Sequence, residues 1–251
     1  MKTWPGLALL LCGLLTACGG STLDPPATEP SSAATPAPPT PTPTPTTPSE
    51  AEDAANLQQA RLTAADLGKP WLQDVKPKAS DPKAKRDGPT TQEFCPGHIT
   101  ETGKTNPVAT LYQSFKNGKA AGASNATFYL FTLGEEERSV LQTGFENDIK
   151  ACAAYKDQGG SYYFTNTPEG PDSILGADEV VISYTERIYT DKAHQNLVYT
   201  RHNVVTRAGR AYSSVSYGFQ ASKKDPGGKD FAAATRLAQL QTAKTAKAFS
   251  A

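Results

Sequence analysis

Residues 179–220 constrain the fold more than any other stretch. Glu179 to Tyr189 has strand composition, and strand periodicity places Val180, Ile182, Tyr184 and Ile188 on one face and Val181, Ser183, Thr185 and Arg187 on the other. A loop near Asp191–Gln195 leads into Leu197 to Arg207, and Ala208-Gly209 turns the chain into Ala211 to Gln220. Links this short cannot form parallel crossovers, so the three runs predict an antiparallel meander. Upstream, Val108 to Lys116 (VATLYQSFK) ends at the turn signal Asn117-Gly118. Ala126 to Leu133 (ATFYLFTL) reads as a further strand and Ser161 to Thr165 as a short one.

Two long helices accompany these strands. Glu135 to Tyr155 opens with three glutamates, which the helix dipole favours at that end. Leu141, Phe145, Ile149 and Cys152 recur on one face of it and point to a core. Asp230 to Phe249 is alanine-rich, with Phe231, Leu237 and Leu240 as its buried residues. Thr63 to Leu67 is a capped helical turn stopped by Gly68 and Pro70, and Trp71 and Leu72 then plug the core edge. Residues 73–92, polar and rich in breakers, read as loop. The expected fold class is α+β: one twisted antiparallel sheet with two main helices packed on one side, a single domain over residues 61–251.

The N-terminal quarter is different material. Leu7 to Leu15 is an apolar run too short for the roughly 20 residues a bilayer demands, and it fits the centre of a secretory signal peptide. Leu15-Thr16-Ala17-Cys18 has the form of a bacterial lipobox, in which the Cys18 thiol takes a diacylglycerol, the chain is cut before it, and palmitate-type chains anchor it. Cys12 is disfavoured by the bulky Leu11 before it. Ten of the chain's 20 prolines lie between Pro25 and Pro48, alternating with threonine in TPAPPTPTPTPTTPSE. Such a tract packs no core and favours extended polyproline II. The expectation is a signal peptide over 1–17, a lipid-anchored, disordered Pro/Thr-rich linker over 18–60, and a location on the extracytoplasmic face of the cell membrane.

With Lys2 in the leader and five acids in the linker, the remainder holds 24 basic and 20 acidic residues. The densest basic stretch, Lys76 to Arg86 (KPKASDPKAKR), is interrupted by proline, so no nucleic-acid partner is expected. With Cys18 acylated, Cys95 and Cys152 remain, and an exported domain with two cysteines pairs them. Free thiols or a partial metal site are the alternatives. His98, three residues from Cys95, is too little for a metal, so no metal and no cofactor are expected. His98, His194 and His202 fit no metal-ligand spacing, and GxSxG, Walker and CxxC motifs are missing from the sequence. The reading is a non-catalytic chain, although counting leaves a hidden Ser/His/Asp set open.

Charge inside strands is the one local oddity. Glu186 interrupts an apolar face, and a hairpin closed at 191–195 sets it opposite residue 200 or 201, with Arg201 as partner. One reading is a polar anchor in a ligand cleft walled by Tyr184 and Tyr199, suited to an apolar or sugar-like ligand. The other is a cross-strand ion pair of about 0.2–1 kcal/mol.

Several features together resemble the PknH-type extracellular sensor domain. They are the opening LTAADLGKPW, a cysteine before the first strands, the FYLF strand, a helix bearing the second cysteine, three long strands, and a last helix rich in Ala, Leu, Gln and Lys. That family occurs in actinobacteria as stand-alone lipoproteins and as the outer part of a receptor Ser/Thr kinase. The resemblance implies a twisted antiparallel sheet whose helices form a cleft, and extracytoplasmic binding or sensing of a ligand. The kinase-linked member carries two disulfides, whereas this sequence has cysteines for one and shows neither a kinase domain nor a spanning helix. The expected partners are the membrane, through the lipid anchor, and a small molecule, lipid or envelope protein. A lipid or glycolipid carrier and an envelope scaffold binding another protein are the alternatives.

Overall fold

The computed structural model describes residues 49–79, 93–99, 107–119, 123–220 and 230–250, all within the unit Thr46–Ala251. The expected leader, the Cys18 lipidation site, the linker as far as residue 48 and most of the Lys76–Arg86 stretch lie outside the described residues.

Eight strands form one antiparallel sheet in the order β1-β4-β5-β10-β9-β8-β7-β6. They are β1 (Trp71–Ala79), β4 (Ala109–Asn117), β5 (Asn125–Thr132), β6 (Ala154–Lys156), β7 (Tyr163–Pro168), β8 (Glu179–Tyr189), β9 (Leu197–Ala208) and β10 (Ala211–Gln220). The short pair β2 (Glu93–Cys95) and β3 (His98–Ile99) stands apart as a hairpin turned at Gly97, whose φ of 82° suits glycine. Among the described residues the helices are α1 (Glu50–Gln59), α2 (Ala64–Leu67), α3 (Glu135–Ala151) and α4 (Asp230–Phe249). The class is α+β, and β8, β9 and β10 form the expected meander.

The two long helices lie on opposite faces of the sheet, not on one side. On one face Phe115, Phe128, Val204 and Val215 pack against Ala234, Leu237 and Ala238 of α4. On the other, Phe131, Val205 and Tyr212 pack against Leu141 and Phe145 of α3. The reason is local: Leu130-Phe131 and Val204-Val205 are consecutive apolar pairs, so the central strands are buried on both faces. A bulge between Val180 and Ile182 also shifts the expected β8 pattern. Val180 joins the α4 face, while Val181 and Ile182 both join the α3 face.

Folded structure is already present at Ser49, ahead of the expected boundary near residue 60. Ser49 and Glu52 form a reciprocal capping box: the Ser49 N–H donates to Glu52 Oε2 at 2.7 Å and the Glu52 N–H to Ser49 Oγ at 3.3 Å. Leu57 and Ala60 are fully buried against Leu111 and Leu130. The side chain of Asp53 accepts from Arg210 Nε at 2.8 Å. The expected loop over 73–92 is a strand through Ala79. Among the described residues β1 pairs only with β4, with two register shifts and mostly exposed side chains, so polar residues and Pro77 suit it rather than forbid it. Helix α3 ends at Ala151, four residues early, where the Cys152 N–H closes onto the Asp148 carbonyl at 3.0 Å; Tyr155 then belongs to β6.

Truncating Leu57 to Ala is expected to cost about 2–4 kcal/mol in urea unfolding. An unchanged midpoint would mean that residues 49–60 are tether after all.

Candidate functional site

Helix α3 covers the sheet incompletely. Beside its last two turns a groove of about 580 Å³ opens over β7 and β8. Glu146, Ile149 and Lys150, spaced three and four apart on one helix face, form one wall, and Ala153 continues it. Asn166 and Pro168 of β7 and Val181 and Ile182 of β8 form the other. The lining is largely apolar, with Glu146 and Lys150 as its charged residues. β7 is free to border the groove because β6 pairs with it only as far as Thr165, and Pro168 offers no N–H to a neighbour.

The C-terminal end of α3 is held firmly. Cys95 of the hairpin and Cys152 at the helix cap form a disulfide, with Cα atoms 5.9 Å apart. Four residues earlier, the buried Asp148 pairs with His98 Nε2 of the same hairpin at 2.9 Å. Phe94 lies 6.4 Å, centroid to centroid, from Tyr184. Asn166 is 4% exposed. Its Nδ2 donates to the Cys152 carbonyl at 3.0 Å, and its N–H to the Ala153 carbonyl at 2.9 Å. Its Oδ1 is buried and has no hydrogen-bond partner among the described residues.

The four residues expected to form a cleft, Tyr184, Glu186, Tyr199 and Arg201, share the α3 face of the sheet, next to this groove but outside its lining. Glu186 and Arg201 are direct cross-strand partners, with Arg201 Nη1 2.9 Å from Glu186 Oε2. The Tyr155 hydroxyl also bonds Glu186, and burial, then the Glu186 charge, pushes its pKa up. Burial and the same carboxylate push the Tyr184 hydroxyl up as well. Tyr199 lies across Gly218, where any Cβ would collide with its hydroxyl, and exchanges hydrogen bonds with Asn125. The Arg201 guanidinium sits 5.8 Å from the Tyr199 ring centroid. The structure therefore gives Glu186, Arg201 and Tyr199 protein partners. The groove residues went unread in the sequence. The available signal was Asn166, a polar residue alternating with Phe164 and Pro168 on a strand.

A second cavity, of about 290 Å³, opens on the other flank of α3 between Arg138, Leu141, Glu179, Arg207 and Tyr212. Arg207 donates to Glu179 at 3.1 Å there, whereas Arg138 Nε is buried without a hydrogen-bond partner among the described residues. The remaining histidines serve elsewhere. His194 packs 4.8 Å from the Tyr189 ring. His202 is fully buried on the α4 face, with Nδ1 2.8 Å from Thr185 Oγ1 and Nε2 without a hydrogen-bond partner among the described residues. Burial pushes its pKa down to about 4, against an opposing pull from Glu169. Among the described residues no group of three or more metal-ligating side chains comes together, and no helix is long and apolar enough to cross a membrane.

No protein-family model matches the chain, and no curated protein sequence does. Solved structures that match it include the extracellular domain of PknH from Mycobacterium tuberculosis, 12% identical over 77% of this chain and 94% of that one, with a TM-score of 0.47. A putative uncharacterized protein (Rv0999 ortholog) from Mycobacterium smegmatis is 15% identical over 77% of this chain and 96% of that one, with a TM-score of 0.40.

Two expectations follow from this geometry. Arg201→Ala leaves Glu186 with Tyr155 alone and should cost about 1 kcal/mol in chemical unfolding, with ligand capture unchanged. Lost capture at full stability would instead place the pair in the binding site. For His202, the unfolded imidazole takes up a proton below about pH 6.5 and the folded one only near 4. The unfolded state then binds more protons in that window, so stability falls as pH drops from 7.5 to 5, by about 1–2 kcal/mol from this residue. Unfolding midpoints of His202→Gln, measured at both pH values, should show a smaller drop than the parent's.

Proposed function

We propose that this chain is a lipid-anchored extracytoplasmic binding protein. Cys18 carries the anchor, the Thr-Pro tract acts as tether, and the folded domain presents the groove between α3 and β7–β8 to a small ligand. The groove is the observation that carries the reading. Its volume of about 580 Å³ falls in the range of small-molecule sites, and such sites pair apolar walls with few polar groups. Its walls rest on a sheet and on a helix whose end is pinned by the Cys95–Cys152 disulfide, as preorganised binding demands. A disulfide also suits an oxidising compartment outside the cytoplasm.

The reading is of binding rather than catalysis, because the groove's lining offers no nucleophile beside a base. The apolar lining supports a second reading, a carrier of lipid or glycolipid, which would use the same groove.

The full chain, purified from its own cell envelope, is the material for the test. Native mass spectrometry should show a non-covalent mass that disappears on denaturation and is missing from Ala153→Trp, whose exposed Ala153 lies in the groove wall. Denaturing spectra should retain a covalent acyl mass on Cys18, and Cys18→Ala should move the chain from the membrane to the soluble fraction. A parent chain that never carries a bound mass overturns the binding reading. A Cys18→Ala chain that stays in the membrane overturns the anchor.

A further inference from the structure

We infer that the second cavity, on the other flank of α3, is a site for a small organic molecule bearing one carboxylate, held by the Arg138 guanidinium and the Tyr212 hydroxyl. It is separate from the groove and does not depend on the groove being a ligand site. The cavity, of about 290 Å³, is lined by Arg138, Leu141, Val181, Glu179, Arg207 and Tyr212 among others, which leaves room for a ring or a short chain behind the acid group. Its two arginines are in different states. Arg207 is committed: Nε donates to Glu179 at 3.1 Å, while Nη1 donates to the Gly209 carbonyl at 3.1 Å and reaches Asp178 at 3.5 Å. The Arg138 side chain has no ion pair and no hydrogen bond among the described residues. Of its nitrogens only Nε is closed off from water. The two Nη groups, the forked end that grips a carboxylate, stay accessible.

Tyr212 supplies a second donor. It is the cross-strand partner of Arg207, and its ring stacks on Phe131 with centroids 5.1 Å apart, which holds the hydroxyl in place. That hydroxyl makes no hydrogen bond among the described residues, yet it is not closed off from water. Burial pushes its pKa up, against opposing pulls from Arg207 and then Arg138, so at neutral pH it keeps its proton and can donate. A carboxylate has acceptors only, and two donors of this kind suit its two oxygens. The neighbouring acids are turned elsewhere. Glu179 meets Arg207, and the Glu137 carboxylate folds back against Gly134 at the helix N-terminus. The Arg138 charge therefore has no protein partner, and a charge-assisted bond in a half-enclosed cavity outweighs one at the open surface. Glu179 in the same lining limits the ligand's charge, because a dianion such as a phosphate monoester meets more repulsion there than a single carboxylate does.

Benzoate is the probe, with benzamide as its neutral isostere and phenyl phosphate as the dianion. The full chain carrying Cys18→Ser allows calorimetric titration without detergent at neutral pH. Benzoate should bind about tenfold more tightly than either comparison compound. Arg138→Gln should weaken benzoate about tenfold, and Tyr212→Phe, which keeps the ring, about threefold, each with an unchanged melting temperature. Arg236→Gln, which removes an equal charge from an exposed position on α4, should leave the affinity as it was. Equal binding of benzoate and benzamide, no benzoate binding at about 10 mM, or an Arg138→Gln chain that binds like the parent overturns the site. Equal weakening by Arg138→Gln and Arg236→Gln means unspecific attraction to net charge and overturns it too. Phenyl phosphate binding as tightly as benzoate overturns the limit to one charge. Benzoate binding lost in Ala153→Trp but kept in Arg138→Gln would put the anion in the groove and overturn the second site alone.

Discussion

The central strands of this sheet are apolar on both faces, and the architecture follows from having to cover each. Phe128 and Leu130 point one way and Phe131 the other; Val204 and Val205 do the same one strand over. One helix cannot satisfy both faces. The long α4 takes the first, with α1 extending its cover across β4 and β5, and the shorter α3 takes the second. Because α3 is anchored over Phe131, Tyr212 and Val205, its last turns run out over β7 and β8, where the sheet below is wider than the helix. The groove is the remainder of that mismatch. Its apolar walls are core residues that no helix covers fully.

Polar contacts then fix how the layers sit. On the α4 face the helix meets the sheet through hydroxyl pairs as well as carbon. Thr242 lies 2.8 Å from Thr206 and Thr245 3.0 Å from Ser213. Gln241 reaches past them to the carbonyl of Ala60 at 2.8 Å, tying the end of α1 to the middle of α4. Hydrocarbon alone lets a helix slide on a sheet, whereas directional bonds between buried groups admit one register. On the α3 face the same task falls to the hairpin, through the Cys95–Cys152 bond and the His98–Asp148 pair. Two different devices, a ladder of small polar residues and a covalent staple, hold the two covers.

The parts of this arrangement legible in the sequence were those governed by short range. β8, β9, β10 and α4 follow from alternation, helical spacing and turn residues, and the Glu186–Arg201 pairing follows from hairpin register alone. What was not legible depended on context. Helix α1 carries a capping box in Ser49 and Glu52, but its acids adjoin a proline tract and read as more of the same. β1 looks like loop because an edge strand is meant to look unlike a central one. The side taken by α3 was hidden because strands apolar on both faces give no preference, and the bulge at Val181 reverses a two-residue rhythm at the point where it was being used. Asn166 was invisible for a further reason: its partners are the backbone carbonyls of Cys152 and Ala153, and sequence spacing does not report which carbonyls a side chain meets.

The disulfide and the groove are coupled through that residue. Cys152 contributes its sulfur to the hairpin and its carbonyl to Asn166, so one residue both pins the helix end and orients the amide at the groove wall. Ala153, the next residue, lines the groove and accepts the Asn166 N–H. A helix end left to fray loses its last carbonyls to water first. Here the final turn is clamped on one side by the staple and on the other by β7, so its carbonyls stay aimed at Asn166. The crosslink stabilises the fold mainly by restricting the unfolded chain, yet its position has a local consequence that such an account omits. It holds the residue whose carbonyl accepts from Asn166 Nδ2. A bridge elsewhere closing a loop of equal length would offer similar stability without fixing the Cys152 carbonyl against Asn166.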